Sequence, residues 1–278
     1  MNLQNIINEI EKVDPEVYER LDGRRGALKN FSKFSGKVAL AALPIAFGSM
    51  FKKAYGKGSS VTGLIDDTLN FALTLEYIES NFYIKGVASV GLIPAGPGLG
   101  ALTTIRDHEN AHVNFLRSAI TSLGATPKTF VAADFDFTAK GTFSDVFTNY
   151  DTFLAVAQTF EDTGVRAYKG QATNLMASND ILTAALNIHS VEARHASHIR
   201  QMRRARGAST VKPWITGKDS GIGAVVQASY NGEDLTTQAG VNIVNINGFT
   251  ISAAAASEAF DEPLTKDDIL AIVTPFFA

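Results

Sequence analysis

The chain has 278 residues with 45% apolar content, enough to bury the core of one domain of ordinary size and to leave extensions. A formal net charge of -3 creates no field that would gather nucleic acid or an anionic membrane surface, so neither is expected as a partner. The absence of cysteine excludes disulfides, thiolate metal sites and cysteine nucleophiles, so any metal must be held by His and carboxylates.

Residues 1–60 read as a leader region. An apolar run, VALAALPIAFGSM at 38–50, stops at Lys52 and Lys53 and is too short to span a bilayer, so no transmembrane segment is expected. Ahead of it, RRGALK resembles a twin-arginine export signal, with Arg24, Arg25, Leu28 and Lys29 in place and Ala27 where an aromatic is usual. AYG at 54–56 offers the small residues of a cleavage site, which would place the mature protein in the periplasm or beyond. The acidic stretch EIEKVDPEVYERLD makes this leader less basic than most signals. The alternative is an N-terminal helix packed on the body of a cytoplasmic protein.

Residues 61–206 carry helical periodicity. VTGLIDDTLNFALTLEYIESNFYIKG places Leu64, Leu69, Leu73 and Tyr77 at helical steps and ends in a basic residue and a glycine, predicting a first helix over 61–86. VASVGLIPAGPGLG follows as a turn-rich connector without a phosphate-loop lysine. A second helix is predicted over 101–124, then 18 residues, ATPKTFVAADFDFTAKGT, with alternating aromatics and no helical period. Third and fourth helices are predicted over about 143–176 and 180–206, with a short SND turn between them. Four long helices with one long link in the middle describe two helical hairpins joined by a crossover that runs the length of a bundle.

The two hairpins repeat each other. Glu76 is followed by Tyr83 and Gly86, and Glu161 by Tyr168 and Gly170, while Glu109-x-x-His112 and Glu192-x-x-His195 occupy the second helix of each hairpin. Side chains three residues apart on a helix are neighbours on one face, so each Glu and His pair can reach a common point. Facing hairpins would bring four carboxylates and two imidazoles around the bundle axis. Four buried carboxylates need compensation, and two divalent cations would neutralise them. Of five Glu between 61 and 206, four hold these positions, whereas a solvated bundle would scatter Glu over its surface.

LNFALTLEYIESNFYIKG, DHENAHVNFLRSAITSLGA, QTFEDTGVRAYKGQA and LNIHSVEARHASHIRQMR resemble the ferritin-like superfamily, particularly its bacterial, desiccation-related branch. The resemblance covers about 60–206, and FDEPLTKDDI near the end is also similar to that branch. It implies an all-α fold, a four-helix bundle with a long crossover between the second and third helices. It also implies that Glu76, Glu109, His112, Glu161, Glu192 and His195 ligate two iron or manganese ions acting on dioxygen or peroxide. No catalytic residue is expected apart from these ligands.

Other residues are placed around this set. Glu79, one turn after Glu76, can replace or supplement it, and the repeat favours Glu76. Tyr83 and Tyr168 lie two turns beyond their Glu, either as donors to carboxylates of the other hairpin or as core tyrosines satisfied elsewhere. His108, His189 and His198 are expected on the rim or surface, Asp107 and Asp162 at the surface or orienting histidines, and RQMRRAR as a basic last turn favoured by the helix dipole. The tail, 207–278, is expected to be a small α/β extension, with short strands within 225–252 and two short helices around Pro263. It would pack on the bundle or on a second copy in a homo-oligomer. Two functional classes follow: a di-metal oxidase, peroxidase or catalase-like protein, or a stress or envelope protein whose metal is structural or absent.

Overall fold

A computed structural model describes residues 59–278, with side chains from residue 63 onward. The twin-arginine-like motif, the apolar run and the candidate cleavage site lie outside the described residues. Among the described residues no helix is long and apolar enough to cross a membrane.

Four long helices build the bundle: α1 (Ser59–Ala88), α2 (Pro97–Ser122), α3 (Tyr150–Gln171) and α4 (Asn179–Ala205). Helix α1 packs along α2 and α3 along α4, and the hairpins meet through α1 with α3 and α2 with α4. Their ends follow local chemistry. Helix α2 begins at Pro97, four residues earlier than its periodicity suggests, because proline suits the first helical position, where no N–H is needed. Helix α3 begins at Tyr150, later than the predicted 143. Asn149 caps it by accepting from the Asp151 and Thr152 amides, and Asp145 accepts from the Asn149 side chain. Ser178 caps α4 through the Ile181 amide.

The crossover, 123–149, holds only a 3-10 turn at Ala132–Asp134. Its alternating aromatics have a packing role: Phe135 and Phe137 are buried, and Phe135 forms an antiparallel bridge with Phe277 near the C-terminus.

The tail contains β1 (Thr237–Gln238) paired antiparallel with β2 (Val241–Asn242), then α5 (Ala253–Ser257) and α6 (Lys266–Val273). The strands are shorter than the β-branched composition suggests. Ala224–Tyr230 is a 3-10 helix that buries Val226 and Tyr230, since packing on the bundle outweighs strand preference. The hairpin turn uses Ala239 and Gly240, both at positive φ.

The tail docks on α3. Arg166, 1% exposed, donates to the carbonyls of Glu262, Ser229 and Asn231 at 2.8, 2.6 and 2.7 Å and lies 2.7 Å from Glu233 Oε1. A side chain at Gly170 would strike the Leu264 carbonyl, its Cβ falling 2.0 Å from that oxygen. Gly86 is constrained differently, by the Phe153 ring.

Candidate metal centre

All four helices contribute to one buried polar cluster. Glu76 from α1, Glu109 from α2, Glu161 from α3 and Glu192 from α4 are each 0% exposed, and His112 and His195 are buried beside them. Nδ1 of His112 lies 3.2 Å from Glu76 Oε2, 3.1 Å from Glu109 Oε2 and 3.2 Å from Glu192 Oε1. Nδ1 of His195 lies 2.8 Å from Glu109 Oε1 and 3.3 Å from Glu161 Oε2.

Two four-residue groups result: Glu76, Glu109, His112 and Glu192, and Glu109, Glu161, Glu192 and His195. Within each, one donor atom per residue lies within 4.8 Å of every other. Glu109 and Glu192 belong to both, and Glu109 turns a different oxygen to each histidine. Each group offers three carboxylates and one imidazole that could hold a metal ion.

Hydrogen bonding leaves the same atoms wanting. Both Glu192 oxygens, Glu109 Oε1, Glu161 Oε2 and His195 Nδ1 make no well-formed hydrogen bond although buried. The outer oxygens are supported from the opposite hairpin. Tyr83 of α1 donates to Glu161 Oε1 at 2.5 Å, and Tyr168 of α3 donates to Glu76 Oε1. Burial, then the neighbouring carboxylates, push both phenols well above their usual range, so they remain donors.

Without cations, protons must neutralise this core. Burial, reinforced by the other carboxylates, pushes Glu192 and Glu79 well above the usual carboxylate range and Glu109 to about 7. Burial opposes charge on the imidazoles, but the facing carboxylates prevail, raising His112 strongly and His195 to about 11. Burial also works to raise Glu76, yet the His112 charge and hydrogen bonds from His112, Glu109 and Tyr168 hold it low. Cations would displace these protons.

A pH dependence follows. Where folding raises a pKa, stability is present below the unfolded value and lost as pH rises through the folded one. Glu109 therefore acts between 4.5 and about 7, and His195 between 6.5 and about 11. Glu76 has the opposite sign, its contribution being lost on acidification below 4.5. The metal-free protein should melt at a lower temperature near pH ~9 than near pH ~6, and saturating metal should flatten that slope. Calorimetric melts with and without chelator measure both. A melting temperature that rises over this range in chelator would contradict the assignment.

Residues 66–205, half of the chain, match the profile of the ferritin-like domain. The chain belongs to the ferritin-like family. No curated protein matches the chain. Glu76 on α1 and Glu161 on α3, with Glu-x-x-His pairs on α2 and α4, build the buried cluster of this ferritin-like bundle.

The surrounding residues divide. Glu79 is buried at the edge of the cluster, outside both four-residue groups. It faces Gly164, where an added Cβ would lie 3.2 Å from Glu79 Oε1 and 3.4 Å from Glu192 Oε2. Gly164 stands 85 residues after Glu79, as Glu161 does after Glu76, so the internal repeat carried a signal for it. His108 is exposed as expected, yet its Nδ1 lies 3.0 Å from His195 Nε2 with the rings stacked. Sequence reasoning missed that contact because only the packing of α2 on α4 creates it. His189 is half-buried, while His198 and Asp107 are exposed.

One expectation is corrected. Asp162 is neither exposed nor facing a histidine: it is buried, held by Arg200 at 2.6 Å and by the Tyr230 hydroxyl at 2.7 Å. The end of α4 is a basic last turn as expected, with Arg203 and Arg204 in it, and it has a further packing role. Arg200 is buried in that pair, and Arg203 donates to Gln158 and to the Gly221 carbonyl, because the tail covers this part of the bundle.

Proposed function

We propose that Glu76, Glu109, His112, Glu161, Glu192 and His195 hold two ions of iron or manganese and that this centre reacts with dioxygen or peroxide. The carrying observation is the pair of overlapping groups, with Glu109 and Glu192 common to both and their buried oxygens lacking well-formed hydrogen bonds. When bound, the ions would supply redox equivalents and open coordination positions. The six residues cannot saturate two ions that favour about six donors each, which leaves room for a small oxidant. Glu109 and Glu192, common to both groups, would be shared between the two ions. Tyr168 and Tyr83 fix the outer oxygens of Glu76 and Glu161, orienting the inner ones. The exposed His108 holds the outer nitrogen of His195.

Rapid-mixing absorbance tests the reading. The iron- or manganese-loaded protein should consume dioxygen or peroxide faster than the same metal in buffer, because the ligands pre-position both ions. His112→Ala should slow turnover at least about tenfold with helix content kept. Equal rates with and without protein would leave a binding or stress-related structural protein. Export is the companion proposal, supported by RRGALK and AYG. N-terminal sequencing of native protein should find a mature start near Lys57, and an intact Met1 in the cytosol would overturn export.

A further inference from the structure

The two hairpins repeat each other closely around the cluster, and one departure from the repeat falls on an imidazole. The step of 83 residues that relates Glu109 to Glu192 and His112 to His195 also relates His108 to Val191. His108, exposed on α2, brings Nδ1 to 3.0 Å from His195 Nε2, its ring stacked on that of His195 with centroids 5.3 Å apart. Valine has no such group to offer His112. Among the described residues, the polar contacts of His112 run through Nδ1, toward Glu76, Glu109 and Glu192.

The two four-residue groups are otherwise matched donor for donor. Each has three carboxylates and one imidazole, and Glu109 and Glu192 are common to both. The outer oxygens of Glu76 and Glu161 each receive a tyrosine hydroxyl from the opposite hairpin. Glu79 also breaks the repeat, since its counterpart is Gly164, but it lies over Gly164 beside Glu192, a carboxylate that both groups share. His108 is the departure that touches one group's imidazole alone.

Imidazole chemistry says which way this acts. Nδ1 of His195 faces Glu109 and Glu161, so a cation or proton held there leaves the ring's other hydrogen on Nε2. That N–H donates to Nδ1 of His108. Such a bond fixes the tautomer and rotation of a ligating ring and makes its inner nitrogen more basic, and losing the outer partner typically costs about 10–100-fold in metal affinity.

We propose that His108 is a positioning residue that presents Nδ1 of His195 to the cluster, so that the group of Glu109, Glu161, Glu192 and His195 takes up the first of the two ions and the His112 group the second. This rests on the metal reading above and adds to it an order of filling, set by an exposed residue outside both groups.

Anaerobic titration calorimetry with manganese(II) on the full chain is the test, run at pH ~8, where an exposed imidazole is neutral. Two unequal binding events are expected. His108→Phe keeps a flat ring but loses the acceptor, and should weaken the first event at least about tenfold and the second less than about threefold. His108→Asn, whose side-chain oxygen can accept from the same N–H, should recover most of the first event. His195→Ala should abolish the tighter event and His112→Ala should spare it. An unchanged first event in His108→Phe, equal weakening by Phe and Asn, or a tighter event lost with His112 and kept without His195 would each overturn the proposal. Nitrogen-15 NMR of the imidazoles in chelator should find the His108 hydrogen on Nε2, leaving Nδ1 as the acceptor. No manganese uptake would sink the metal reading and the order of filling with it, whereas two ions bound with the His108 hydrogen on Nδ1 would sink this inference alone.

Discussion

Glu192→Ala should lower the metal content after iron or manganese loading from two ions per chain to one or none, and slow consumption of dioxygen or peroxide at least about tenfold. Glu192 belongs to both four-residue groups, so its loss takes a donor from each proposed ion; Glu109→Ala should act likewise. Glu79→Ala, outside both groups, should retain both ions. The metal-free protein should respond in the opposite sense. Burial, then the neighbouring carboxylates, push Glu192 well up, so without metal folding must place a proton on it; its removal relieves that cost and should leave the chelated protein at least as stable near neutral pH. Elemental analysis together with melts in chelator reads both effects. Two ions retained by Glu192→Ala would refute the shared-carboxylate assignment.

Arg166→Ala should be the most damaging substitution at the tail interface, costing roughly 3–5 kcal/mol, because it strands a buried carboxylate. Arg166 and Glu233 have side chains 1% and 0% exposed, and the guanidinium also serves three tail carbonyls. Burial already pushes Glu233 up to about 7 with the arginine present, so without it Glu233 would take a proton or draw in water. A melting temperature lower by roughly 10 °C is expected for a chain of this size. Replacing both partners, Arg166→Met with Glu233→Gln, should recover part of the loss, since the desolvated charges leave together. A loss below about 1 kcal/mol in Arg166→Ala would show that the tail does not depend on this pair.

The bundle was legible because its information is local and repeated. Helical periodicity and two copies of one hairpin pattern act within a few residues of where they are read, whereas the Asn149 cap went unread and left the start of α3 at 143 rather than Tyr150. The six clustered residues were legible for the same reason: a three-residue step on a helix sets a shared face whatever else the chain does. Less of the tail could be read. Its β-branched residues favour strands in isolation, but burying Val226 and Tyr230 selects a 3-10 helix. Asp162 illustrates the limit. Next to Glu161 it resembles a surface residue, and nothing near it in sequence announces Arg200, 38 residues on, or Tyr230, 68 residues on.

The sequence by itself determined the helices, their pairing into two hairpins and the residue types that could gather on the axis, since periodicity and spacing are properties of a single helix. Only the tertiary structure decided which oxygens face which imidazole, that Tyr83 and Tyr168 cross between hairpins, that His108 meets His195, and that Arg166 and Asp162 serve the tail. Those contacts join residues far apart in the chain, and their geometry depends on how helices and tail settle against one another.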